Sequence, residues 1–169
     1  NEKGLNIFEQ FYGLGMIPQF APMHNFFLVV WSRIFGDSQL SFRYFSLVIF
    51  ILCLPFLFLL TKKVFRSSFI AWISVALFSV SPFFQFQAQH ANYYILWAFS
   101  IILLHYIFLE VVEKQNLKWW LLYIGAATLA INSSILSHVL IVSNFIFYIL
   151  FYSGCFVCRQ YFLVTESQK

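Results

Sequence analysis

In RYFSLVIFILCLPFLFLL, residues 43–60, every position after Ser46 is apolar, and the apolar residues fall on all sides of a helix rather than on one stripe. The period-2 alternation of a barrel strand is absent. At 18 residues the run approaches the roughly 20 needed to cross a hydrocarbon core as a helix. In lipid a helix satisfies its backbone N–H and C=O groups internally, with no help from water. Thr61, Lys62, Lys63 and Arg66 close the run with polar and basic side chains. The rest of the chain has the same character, being 62% hydrophobic and only 9% charged. A soluble domain carries roughly 25% charged residues to cover its water-facing surface. The expectation is an all-α, polytopic helical membrane protein.

Working outward from this run, further apolar segments cover residues 69–84, 93–109, 119–136 and 138–152. The second ends at Ser81-Pro82, and the third is closed by Glu110, Glu113, Lys114 and Lys118. The fourth opens on Trp119-Trp120, the kind of aromatic anchor that favours the membrane interface. A single helix from Trp119 to Tyr152 would be about 50 Å long, too long for a core of roughly 30 Å. A turn near residues 132–137 is therefore expected. This gives about five transmembrane helices in a single membrane domain covering residues 1–169.

The segment ahead of residue 43 is different. Leu5, Phe8, Phe11 and Tyr12 share one helical face, which suits an amphipathic helix lying on the bilayer. Pro18 and Pro22 bracket a turn, and MHNFFLVVWSRIF, residues 23–35, is apolar but too short to span. Two N-terminal interfacial helices are thus expected within residues 1–36. Gly13-x-Gly15 has no preceding strand and reads as a helix stop. No hydrophobic segment precedes this arm, so the sequence is expected to start downstream of a further span.

Lysine and arginine set the orientation. Lys62, Lys63, Arg66, Lys114, Lys118, Arg159 and Lys169 fall on one side, against Lys3, Arg33 and Arg43 on the other. The basic side is cytoplasmic by the positive-inside rule. The N-terminal arm is then outside and the tail, residues 153–169, is cytoplasmic. This patterning also accounts for the net charge of +4 without invoking nucleic acid. Cys53 reads as a small hydrophobe, and Cys155-x-x-Cys158 lacks the second pair a structural zinc site wants.

The same topology places three polar segments on the outer face: the N-terminal arm, SPFFQFQAQHANYY at residues 81–94, and the turn at residues 132–138. His24, His90 and His138 lie in them without ligand spacing, and interfacial hydrogen bonding is their ordinary reading. His105 is mid-span and is expected to bond a neighbouring helix. Arg43 and Arg33 could hold a lipid phosphate through a bidentate guanidinium, or simply snorkel to headgroups. Asn132-Ser133-Ser134 matches a glycosylation sequon but lies close to the membrane. A proton- or ion-coupled carrier usually needs buried ionisable groups, which argues against a transporter.

The order of these features resembles the integral-membrane glycosyltransferases that use polyprenyl-phosphate-linked sugars, the GT-C type, similar to protein O-mannosyltransferases and aminoarabinose transferases. Ala21-Pro22-Met23-His24-Asn25 through Trp31 and Ile34-Phe35-Gly36 match the family's Pro-entered aromatic helix ending Leu-Phe-Gly. Arg43-Tyr44-Phe45-Ser46 matches its Arg-x-x-Ser, and Ser81-Pro82 its span ending. Gln89-His90-Ala91-Asn92-Tyr93-Tyr94 matches a polar outer loop of the type Gln-Glu-Ala-Arg-x-Tyr, with His90 and Asn92 departing from it. Trp119-Trp120 and Ser137-His138 match the Trp-rich entry and the Thr-His turn.

The resemblance implies sugar transfer from a polyprenyl-phosphate donor to an acceptor at the outer (luminal or periplasmic) membrane face. Arg43 and Arg33 would approach the lipid phosphate, with Gln89, His90, Asn92, Tyr94 and His138 beside the sugar. No catalytic residue is assigned: the family's catalytic acid precedes the surface helices, so the chain alone is expected to be inactive. No cofactor is implied and no metal ligands are assigned, although a divalent metal stays open. The expected partners are the lipid bilayer and the lipid-linked sugar, with the acceptor unknown, no nucleic acid, and room for a membrane-protein partner. The alternative is a non-catalytic membrane scaffold or a subunit of a larger complex.

Overall fold

A computed structural model describes residues 22–89 and 93–152. Seven helices and no strand occur among the described residues: α1 Pro22–Phe35, α2 Gln39–Phe65, α3 Ser68–Val80, α4 Pro82–Gln89, α5 Tyr93–Lys114, α6 Leu117–Ser133 and α7 Ser137–Tyr152. The first expected surface helix, the tail and Cys155-x-x-Cys158 lie outside the described residues, as do His90 and Asn92.

Local chemistry sets the breaks. Gly36, at φ 85, ends α1 in a conformation that suits a residue without Cβ. Ser38 then caps α2 by accepting the Ser41 N–H at 3.1 Å. At its far end α2 stops on Arg66 in the left-handed region, and Ser67 caps α3. Lys62 and Lys63, read from the sequence as loop residues, belong to the last turn of α2, where cations favour the helix dipole.

The expected span at residues 69–84 is not one straight helix. It is two helices, Ser68–Val80 and Pro82–Gln89, bent by 55° at the break. Pro82 has no N–H to donate to the preceding turn and disfavours a helical Ser81; Ser81 is extended, at φ -60 and ψ 119. Pro82 is well tolerated as the first residue of a new helix. The polar stretch after it, expected as a loop, therefore forms helix α4 as far as Gln89. The Gln85 side chain donates to the Ser79 carbonyl at 2.8 Å and ties the corner together.

The helices pack up and down. Phe45 and Ile49 of α2 share a buried cluster with Ile95 and Leu96 of α5, and Phe56 meets Phe99 edge to face at 5.6 Å. Far along the same pair, Lys63 reaches Glu110 at 2.6 Å, so α2 and α5 run parallel. α3 runs back along α2 through Phe58–Trp72 and Phe50–Phe78. α6 runs back along α5, with Leu104, Ile107 and Val111 packed against Ala126 and Ala130. Alanines four apart on one face let two helices approach closely. α7 runs parallel to α5, from the Trp97–Ser137 contact to the Phe108–Phe147 contact.

α5 is the central helix: 56% of its apolar window is buried, against 28% for α2. The outer faces stay apolar, with Phe69, Leu77 and Leu117 each at least 70% exposed. Such surfaces fit lipid. Among the described residues two helices, α2 and α5, are long and apolar enough to cross a membrane, and a third span is added if the bent α3–α4 pair counts as one. α7 is a shorter apolar helix, and α6 has only 17 residues with Lys118 and Asn132 near its ends. The structure thus supports two or three spans by length and composition where about five are expected from the sequence.

Candidate functional site

The polar segments of the described residues gather at one end of the bundle. Trp97, one turn into α5, donates its indole N–H to the Ser137 hydroxyl at 3.0 Å. One turn deeper, the Ser100 and Ser133 hydroxyls lie 3.4 Å apart. The turn between α6 and α7 is thereby held against the start of α5. α1 is held there as well. Trp31 donates to the Ser41 carbonyl at 3.0 Å, and Leu28 joins the cluster of Phe45, Ala88, Ile95 and Leu96.

Arg43 lies in the second turn of α2 at this end, with its side chain exposed. Arg33 is exposed in the last turn of α1. Gln89 is exposed at the end of α4, and the neighbouring Ala88 carries that helix into the core. Tyr94 is half-buried in the first turn of α5, its ring facing those of Phe83 at 6.3 Å and Trp97 at 6.4 Å. His138 is exposed, with Nδ1 2.9 Å from the Ile135 carbonyl. These five side chains share an end of the fold, but no hydrogen bond or ion pair given for the described residues joins any two of them.

Two histidines behave differently from their sequence readings. His105 does not bond a neighbouring helix; its Nδ1 lies 2.9 Å from the carbonyl of Ile101, one turn back on its own helix. His24 is only 3% exposed and meets the Phe45 ring edge to face at 6.1 Å. Burial pushes its imidazole down to about 4, against a smaller upward pull from a hydrogen bond with Asn25. Its Nε2 has no partner, and neither do two more buried atoms, Ser46 Oγ and Gln87 Oε1. In the sequence Ser46 stands only as the serine of the Arg-x-x-Ser match and Gln87 only as one of three glutamines in the polar segment, with no signal that either is buried.

Among the described residues no three His, Cys, Asp or Glu side chains group as metal ligands. Asp37, exposed between α1 and α2, is the one described carboxylate at this end. The others, Glu110 and Glu113, lie at the opposite end. Lys63 reaches them at 2.6 and 2.8 Å, and Lys114 meets the second oxygen of Glu110 at 2.7 Å. Lys114 also lies 4.6 Å from the Trp119 ring centroid. This ion-pair group was not foreseen, because from the sequence its members belong to two separate loops.

Apolar outer faces around a narrow polar end define an integral membrane protein. Residues 19–165 match the model of the dolichyl-phosphate-mannose-protein mannosyltransferase family, and the chain belongs to that family. It is a membrane glycosyltransferase of the GT-C type. Neither the curated proteins nor the solved structures give a significant match.

Proposed function

We propose that the polar end binds a polyprenyl-phosphate-linked sugar and takes part in its transfer to an acceptor at the outer membrane face. One observation carries this reading: α1, the start of α2, α4, the start of α5 and the α6–α7 turn meet at one end, opposite the Lys63–Glu110 group. In this reading the N-terminal arm faces outward and the tail is cytoplasmic. Arg43, with Arg33 as a second cation, meets the lipid phosphate, and Gln89, His90, Asn92, Tyr94 and His138 border the sugar. The acceptor oxygen attacks the anomeric carbon and the bond to phosphate breaks, so the lipid phosphate leaves. A carboxylate must take the acceptor's proton.

The decisive experiment uses the full-length protein with Arg43→Ala and measures sugar transfer from the lipid-linked donor. Loss of transfer is expected, and unchanged turnover would overturn the assignment. Membrane-impermeant labelling of single cysteines at positions 138 and 63 should modify them from opposite sides. Labelling of both from one side would remove the compartment this reading requires.

A further inference from the structure

A cavity of about 430 Å³ lies in the other half of the bundle, between the end of α2, the later turns of α5 and the middle of α7. That volume is within the roughly 300–1,000 Å³ typical of ligand pockets. Half of its lining residues are leucine or phenylalanine, and none is Lys, Arg, Asp or Glu. Val64 and Phe147, two of the lining residues, are 53% and 50% exposed, so the cavity opens onto the apolar flank of the bundle.

Polar atoms in this lining are few and complementary. Asn144 is 6% exposed, and its Nδ2 has no hydrogen-bond partner. The Tyr123 hydroxyl interacts with the Asn144 amide, but not within hydrogen-bond geometry to Nδ2. A buried donor without an acceptor is costly, and each such group in a folded protein calls for an explanation. His105 also lines the cavity, and its Nδ1 lies 2.9 Å from the Ile101 carbonyl. A carbonyl can only accept, so in the neutral ring Nδ1 carries the proton and Nε2 is left as an acceptor. Ser143 adds a hydroxyl.

We propose that this cavity is a binding site for a neutral lipid alcohol, a single hydroxyl on an apolar body, taken up sideways from the bilayer. The alcohol oxygen accepts from Asn144 Nδ2, and its hydrogen goes to His105 Nε2. The body lies along the phenylalanine walls. A phospholipid headgroup is disfavoured because the lining offers its phosphate no cation. Of the basic residues next to the α2 wall in sequence, Lys62, Lys63 and Arg66, none lines the cavity; Lys63 is held by Glu110 and Glu113, and Lys62 lies over the Phe58 ring. The site is separate from sugar transfer and does not depend on it.

The test reconstitutes the full-length protein in phosphatidylcholine vesicles containing a diazirine-bearing oleyl alcohol, followed by photolysis and peptide mapping. Saturable labelling of peptides spanning residues 60–65 or 143–147 is expected, competed by oleyl alcohol but not by its methyl ether, which lacks the donor. Asn144→Leu should weaken labelling about tenfold through loss of the hydrogen bond. Val64→Trp, at an exposed position, should block labelling by filling the mouth while leaving every polar group in place, so the test survives if Asn144→Leu does not fold. Equal competition by the methyl ether, labelling indifferent to both substitutions, or no saturable labelling would each overturn the proposal.

Discussion

Trp97 and Ser137, 40 positions apart, are joined by a hydrogen bond of 3.0 Å from the indole N–H to the hydroxyl. Ser137 is completely buried at the first residue of α7. The bond therefore fixes where α7 begins relative to the central helix, and with it the wall of the polar end. Trp97→Phe keeps the ring but leaves the serine hydroxyl without this donor, at a cost of about 1–2 kcal/mol. Thermal unfolding in detergent of Trp97→Phe, Ser137→Ala and the double variant should show coupling of about 1 kcal/mol. Strict additivity would mean that the contact contributes nothing.

The Lys63–Glu110 pair should behave as the anchor of the opposite end. The side chain of Glu110 is 8% exposed and that of Glu113 33%, so losing the first should cost more than losing the second. Removing one partner of a buried pair typically costs about 3–5 kcal/mol. Lys63→Met should fall short of that, because Lys114 still reaches Glu110 at 2.7 Å. The expected order of melting temperatures is wild type, Glu113→Gln, then Glu110→Gln as the least stable. Equal melting of the two glutamine variants would contradict the burial argument.

Much of the fold could be read from the sequence because lipid imposes one strong rule. Long runs without charge must be helices, and residues 43–60 and 93–109 fall inside the two helices that qualify as spans. The helices continue past these runs, because hydropathy stops at the first polar or charged residue while the helix goes on where a charged residue finds a partner. Lys63 finds Glu110, so α2 runs to Phe65 and α5 to Lys114. The bend at Ser81-Pro82 was read as the end of a span, since nothing in PFFQFQAQ marks it as helical once its apolar run has stopped. At the polar end, Arg43 is legible through its guanidinium, whereas Gln89, Tyr94 and His138 are legible only through the family resemblance. The burial of His24, Ser46 and Gln87 is not legible there, because it depends on neighbours distant in sequence.

The docking of α1 should depend on pH through His24. Its ring titrates at about 4 when buried, against an ordinary value of 6.5. As pH falls below 6.5 the undocked state takes up a proton that the docked state refuses. Stability is therefore full above pH 6.5, declines between 6.5 and about 4, and levels off below that. The full loss is on the order of 3 kcal/mol. His24→Phe preserves an aromatic edge against Phe45 and removes the titration. The difference in melting temperature between wild type and this variant should widen from pH 7 to pH 4.5. A constant difference would show that His24 does not titrate on undocking.

Arg43 offers the sharpest separation between phosphate recognition and headgroup snorkelling. Both roles need a cation, but only a bidentate contact needs the planar guanidinium, and lysine binds phosphate as a point charge. If Arg43 grips the donor phosphate, Arg43→Lys in the full-length protein should raise KM for the lipid-linked sugar about tenfold, the loss of one charge-assisted hydrogen bond. Arg43→Ala should abolish transfer under the same conditions. Snorkelling predicts instead that lysine substitutes fully and that alanine lowers stability without changing KM. Arg33→Ala serves as the internal comparison: exposed in the last turn of α1, it should produce the smaller change in KM. An Arg43→Lys variant with wild-type KM and kcat would leave the phosphate without its proposed partner.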